Sequence, residues 1–60
     1  MLVVIKYMNG TVFTVEGVKA VHDGRFREGI GEDFVTVVTR VAEVPYDKYQ
    51  IQSIEFLREA

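Results

Sequence analysis

The sequence predicts a small all-β protein, a curled antiparallel sheet of four to five strands. Three observations favour this fold class. The runs of β-branched and aromatic residues are short; these runs are separated by glycine, asparagine and aspartate; and turn signals recur along the chain. The chain has 60 residues and no cysteine. We therefore expect one domain over residues 1–60, with a thin core and no disulfide.

The first two strands follow from a hairpin signal. Residues 2–8 and 11–16 are apolar-rich runs on either side of Asn9-Gly10, a dipeptide that favours a two-residue type I′ turn. Such a turn would place Met8 opposite Thr11. Both faces of the hairpin would then be largely apolar, which indicates either the centre of a small barrel or a face that a partner covers.

A glycine within the second run predicts a bend. Gly17 interrupts the apolar pattern, and an isolated glycine in a strand marks a bulge or a sharp turn of direction. We expect residues 11–22 to form one long, bent strand. Asp23-Gly24 then marks a turn, residues 25–27 are a short strand candidate, and residues 28–33 form a loop.

The most strand-like run covers residues 34–44. Its length is about twice that of a usual strand. The sequence fits two interpretations of this run, a single long strand and a tight reversal near Thr39-Arg40. Pro45 ends the run, because proline has no backbone N–H to donate.

The last segment has two readings. In the preferred one, a short helical turn at residues 45–49 precedes a strand that contains Ile51, Ile54 and Phe56, because β-branched isoleucines disfavour a full helix. In the alternative, residues 46–59 form a C-terminal helix, and the fold is an α+β meander.

Four or five short strands, a bent second strand and one helical turn before the last strand are similar in outline to SH3-like barrels. The resemblance concerns the order and spacing of these elements along the chain. No family motif accompanies it, so it implies a fold and carries over no functional residue.

Composition limits the classes of function. Nine acidic residues against seven basic ones give a net charge of −2, which makes nucleic acid an unlikely partner class because phosphate binding relies on lysine and arginine. One histidine and no cysteine predict no metal site, and nothing indicates another cofactor. No apolar run is long enough to span a bilayer, so we expect a cytoplasmic protein without a membrane partner.

The candidate binding residues lie in two places. Arg25, Phe26 and Arg27 combine charge with an aromatic ring, and arginine and aromatic residues are favoured where proteins bind partners. Ile30 belongs to the glycine-rich loop that follows. Tyr46 and Tyr49, one helical turn apart in the preferred reading, are candidates for lining a recognition groove. Two other groups of residues are not expected to form sites. The acidic residues at 23–33 are better explained as a solvated loop, and His22-Asp23 as the end of a strand.

These observations predict a non-enzymatic protein-interaction module. The thin core and the doubly apolar hairpin favour a chain that self-associates or binds a protein partner, as a small regulator or inhibitor. The alternative is a single-stranded nucleic-acid-binding β-barrel that uses Arg25, Arg27 and Lys19 with neighbouring aromatic rings. An enzyme is not expected, because one histidine and one serine leave too little for an activated nucleophile.

Overall fold

The fold is described from a computed structural model, which covers residues 1–23 and 33–59. These ranges contain six strands: β1 (Leu2–Tyr7), β2 (Val12–Val15), β3 (Val18–Asp23), β4 (Phe34–Thr39), β5 (Glu43–Asp47) and β6 (Ile51–Leu57). The described residues contain no helix, which confirms the all-β prediction. The alternative helix at 46–59 is wrong, because β6 pairs with β1 along this segment. The predicted number of four to five strands is too low.

The six strands form two antiparallel three-stranded sheets, in the orders β2-β1-β6 and β3-β4-β5. The sheets meet at the corner where the chain passes from β2 to β3. There the Val18 amide donates to the Met1 carbonyl at 2.9 Å, and the Met1 amino group donates to the Val18 carbonyl at 3.4 Å. Within the described part of the chain, no ladder joins β5 to β6.

The first hairpin has a longer loop than predicted. The Gly10 amide donates to the Tyr7 carbonyl at 3.0 Å, and the Tyr7 amide donates to the Thr11 carbonyl at 2.8 Å, so three residues form the loop. Gly10 has a φ of +90°, which suits the left-handed position that ends such a loop. The predicted pairing of Met8 with Thr11 is therefore wrong by one residue, and such a shift turns every side chain of β2 to the other face.

The bend at Gly17 is present. This residue has a φ of +67° and separates β2 from β3, which belong to different sheets. The predicted continuous strand over 11–22 is thus two strands joined at a glycine corner. The Gly17 amide donates to Glu59 Oε1 at 2.6 Å, which fixes the segment after β6 against this corner.

The run at 34–44 reverses direction, which settles the open alternative. Arg40, Val41 and Ala42 connect β4 to β5, and the Thr39 amide donates to the Ala42 carbonyl at 2.9 Å. Thr39 Oγ1 supports this turn by accepting from the Ala42 amide at 3.3 Å.

The helical turn predicted at 45–49 is wrong. Pro45 lies inside β5, and a single turn closed by the Gln50 amide and the Asp47 carbonyl, 3.1 Å apart, leads into β6. Thr39 and Ala42 form a hydrogen-bonded pair, and hydrogen-bonded and non-hydrogen-bonded pairs alternate along an antiparallel ladder. The pair of Thr36 and Pro45 is therefore a non-hydrogen-bonded one, and the Pro45 nitrogen points away from β4. A strand tolerates proline in that position, because no ladder bond is lost.

One core lies between the two sheets. Among the described residues it is built from seven buried side chains, three from the first sheet and four from the second: Val3, Ile5, Ile51, Val18, Val35, Val37 and Tyr46. On β1 and on β4 the two buried residues are separated by one residue, as the two-residue period of a strand requires. Within residues 1–23 and 33–59, no helix has the length and hydropathy to cross a membrane.

Candidate interaction site along strand β6

The strand β6 has one edge without a strand partner among the described residues. Its ladder with β1 is regular from Leu57 to Ser53 and shifts register beyond that point. On β1, Tyr7 forms its ladder bond with β2, so alternation turns the backbone groups of Val4 and Lys6 toward β6. The residues of β6 whose backbone N–H and C=O groups point toward β1 are therefore Ser53, Glu55 and Leu57.

The backbone N–H and C=O groups of Ile54 and Phe56 point the other way, to the free side of β6. We call this side the open edge and define it by Ile54 and Phe56. The side chains of both residues lie on the core-facing side of the sheet, because Ile54 is opposite Ile5 and Phe56 is opposite Val3. The open edge thus presents apolar side chains together with backbone groups that have no strand partner among the described residues.

The core is incompletely covered at this edge. Ile5 and Val3 are fully buried, whereas the Phe56 side chain, on the same face, is 52% exposed. Val44 of β5 shows the same contrast, since it is opposite the fully buried Val37 and is 38% exposed. Apolar side chains on the core side of both β5 and β6 therefore remain in contact with solvent.

The other sheet edges are less open than β6. On β5, Pro45 offers no N–H to a further strand, and the Asp47 amide already donates to Tyr7 Oη at 3.1 Å. The strand β2 has four residues, and β3 carries charged and polar side chains, Lys19 and His22 among them. By contrast, β6 has seven residues and no proline or lysine.

Each of the two edge strands carries a carboxylate on the outer face of its own sheet. Glu55 is opposite Val4 on the outer face of β6, and Glu43 is opposite Val38 on the outer face of β5, which belongs to the other sheet. Both side chains are exposed, and within the described residues neither forms an ion pair. On the regular part of β6, an apolar inner side is therefore combined with one exposed carboxylate on the outer side.

A shallow depression of mixed polarity lies beyond β6. Its lining consists of Met1, Phe56, Leu57, Arg58 and Glu59. Leu57 and Met1 are 44% and 42% exposed, and the Met1 amino group lies 3.6 Å from Glu59 Oε2. Charged groups therefore adjoin the apolar side chains at this end of β6.

Four of the residues predicted for binding, Arg25, Phe26, Arg27 and Ile30, are outside the described residues. Tyr49 is 67% exposed and lies beside the start of β4, because its hydroxyl donates to Asp33 Oδ1 at 3.2 Å.

Tyr46 is a core residue. It is 8% exposed, and its ring packs on Phe13 with the centroids 5.0 Å apart. Burial raises the pKa of the Tyr46 hydroxyl, and the nearby Tyr7 hydroxyl raises it further. The strand conformation of β5 explains why Tyr46 and Tyr49 do not share a surface, since the helical turn that would have aligned them is absent from 45–49.

Ile54 and Phe56 were missed as candidate binding residues. Ile51, Ile54 and Phe56 indicate a strand, but nothing in their spacing indicates which edge of that strand lacks a partner among the described residues. In the described part of the chain, no three histidine, cysteine or carboxylate side chains are grouped as metal ligands.

Comparison with known proteins assigns no family: no family model, no curated protein and no solved structure matches the chain.

Proposed function

We propose that this chain is a non-enzymatic protein-interaction module that binds an extended segment of a protein partner along the open edge of β6. Added strands of this kind gain affinity from main-chain hydrogen bonds and specificity from alternate side chains. The same edge would serve self-association if the partner were a second copy. A cytoplasmic setting belongs to the proposal and rests on the cysteine-free sequence.

One observation carries the proposal: the residues whose backbone groups point to the open edge also place apolar side chains on the core face. An added strand would complete the ladder at Ile54 and Phe56 and cover the Phe56 ring at the same time. Natural proteins usually protect an edge with proline, charge or a short strand. The other edges have such protection, and the regular part of β6 has little of it.

The energies favour a weak and reversible interaction. Full burial of a phenylalanine side chain is worth about 1.5–3 kcal/mol, so covering the exposed half of Phe56 contributes about 1 kcal/mol. Each new ladder bond adds about 0.5–1.5 kcal/mol. Against the entropic cost of association, these gains suit dissociation constants between roughly millimolar and micromolar.

The experiment is an affinity capture with the full chain and two matched variants. Phe56→Lys places a charge on the core side of the open edge, and Val12→Lys places the same charge on β2, where Val12 is 55% exposed. We expect wild type and Val12→Lys to retain the same protein after nuclease treatment and Phe56→Lys to lose it. Circular dichroism checks whether both variants keep the β fold.

Two results would contradict the proposal. Equal retention by all three proteins would show that β6 takes no part in binding. Recovery that depends on nucleic acid would instead favour the single-stranded nucleic-acid alternative, for which Arg25→Ala and Arg27→Ala are the next variants.

A further inference from the structure

The occupant of the open edge can be described by its chemistry, an inference that rests on the proposed function. We propose that it is an extended segment of a partner protein in which apolar residues alternate with lysine or arginine. The apolar residues would face the core side of β6, and the basic residues would lie on its outer face.

The apolar half of this pattern follows from the register of β6. Directly opposed residues in a ladder share one face of the sheet. The partner residues opposite Ile54 and Phe56 must therefore lie beside exposed core, where apolar side chains fit. The partner residue opposite Glu55 lies on the other face, because successive side chains alternate.

The basic half follows from the charge on that outer face. Glu55 is exposed and has no ion-pair partner among the described residues. Lys6 is one ladder step away on the same face as Glu55, opposite Ser53, and forms no ion pair with it in the described part of the chain. A cation opposite Glu55 is favoured in an antiparallel pair, and an acid in that place is disfavoured. The net charge of −2 adds a general preference for basic partners.

A second copy of this chain fits the edge less well. A two-fold arrangement that pairs Ile54 of one copy with Phe56 of the other sets Glu55 directly against its own symmetry mate. The remaining outer-face residues of the regular β6 segment are Ser53 and Leu57, which supply no cation. Charge complementarity therefore favours a basic strand over self-pairing.

The experiment uses two synthetic nine-residue peptides, one alternating valine with lysine and one alternating valine with glutamate. Each is titrated into the full chain, and the amide signals of Ile54 and Phe56 are followed by nuclear magnetic resonance. We expect the lysine peptide to shift both signals and to bind about ten-fold more tightly than the glutamate peptide, since each exposed ion pair contributes a factor of about two to five.

Two variants with the same net charge test the role of Glu55. Glu55→Gln and Val12→Lys each raise the net charge from −2 to −1. We expect Glu55→Gln to weaken binding of the lysine peptide about two- to five-fold, whereas Val12→Lys changes it less. Equal losses of affinity in both variants would show that the preference for the lysine peptide depends on overall charge. That result would overturn the proposal that Glu55 recognises the basic residue.

The other outcomes separate this inference from the proposed function. Equal binding of both peptides at Ile54 and Phe56 would overturn the charge preference and leave strand addition at β6 standing. Concentration-dependent broadening of the β6 signals without peptide would identify a second copy as the occupant. If neither peptide shifts these signals, or if both amides resist hydrogen exchange in the free monomer, the edge is not available and both proposals fail.

Discussion

Tyr46 shows how a single side chain joins the two sheets. Its ring lies against Phe13 of β2, and Phe13 contacts Tyr7 of β1 edge to face with the ring centroids 5.0 Å apart. Aromatic pairs at this separation add stability beyond the area they bury. Tyr7 also accepts a hydrogen bond from the Asp47 amide, so the three rings connect β1, β2 and β5.

Burial of Tyr46 predicts a dependence on alkaline pH. Its folded pKa is raised above the ordinary value of 10.0, so the folded chain holds this proton more tightly than the unfolded chain does. The resulting stability is fully present below the unfolded pKa and is lost as the pH rises through the raised folded pKa. We expect the free energy of unfolding to fall over this alkaline range, with less of a fall in Tyr46→Phe.

Tyrosine ionisation, followed by ultraviolet absorbance, checks the assignment. We expect Tyr46→Phe to remove the component that ionises at the highest pH, and the control Tyr49→Phe to retain it. A late component that persists in Tyr46→Phe would show that another tyrosine is the one protected by burial.

Among the elements, the corner between β2 and β3 depends on a glycine conformation. Gly17 has a φ of +67°, a value that side-chain-bearing residues rarely adopt, and a Cβ added there would meet no atom within 4 Å. The cost of a substitution should therefore come from the backbone alone. We expect Gly17→Ala to lower the free energy of unfolding by about 1–2 kcal/mol, as measured by urea denaturation.

Gly17→Asn is the matched comparison, because asparagine adopts the left-handed region more readily than alanine. It should lose less stability than Gly17→Ala although its side chain is larger. If asparagine costs more than alanine, the limiting factor at the corner is space and not backbone conformation.

For the whole molecule, the shared core predicts cooperative unfolding. The two sheets supply three and four of the buried side chains, and neither has a separate core in the described residues. We expect unfolding in urea to give the same midpoint by far-ultraviolet circular dichroism and by tyrosine fluorescence.

One variant in each sheet tests that cooperativity. Val3 and Val37 are both fully buried and lie in different sheets. Val3→Ala and Val37→Ala should each lower the common midpoint by a similar amount, corresponding to about 2 kcal/mol. Separate midpoints for the two probes in either variant would show that the sheets unfold independently.

Several features of the fold could be read from the residues themselves. The β-branched runs and the bend at Gly17 were predictable, because each depends on local backbone preference. The strand that the structure shows at Ile51–Leu57 was the preferred one of two readings, the other being a helix at 46–59. A reversal near Thr39-Arg40 was one of two readings, and the structure selects it. These signals are short in range and need no knowledge of the neighbouring strands.

Register and edge position were not predictable in the same way. Asn9-Gly10 fits both a two-residue and a three-residue loop, and one residue of difference exchanges the two faces of β2. Pro45 ends a strand in most settings, yet it lies within β5 because its nitrogen faces away from β4. Both outcomes depend on which neighbour each strand finds.

The sequence by itself determined a strand-rich chain with a bend at Gly17, because these follow from steric preferences of single residues and short patterns. Only the tertiary structure decided that the run at 34–44 reverses and that Tyr46 is buried. It also placed Ile54 and Phe56 at an edge without a strand partner among the described residues. Burial and edge position are properties of strand order, and strand order is set by how two sheets cover one small core. The candidate binding edge is therefore a consequence of the strand order in the two sheets, and no local sequence pattern indicates it.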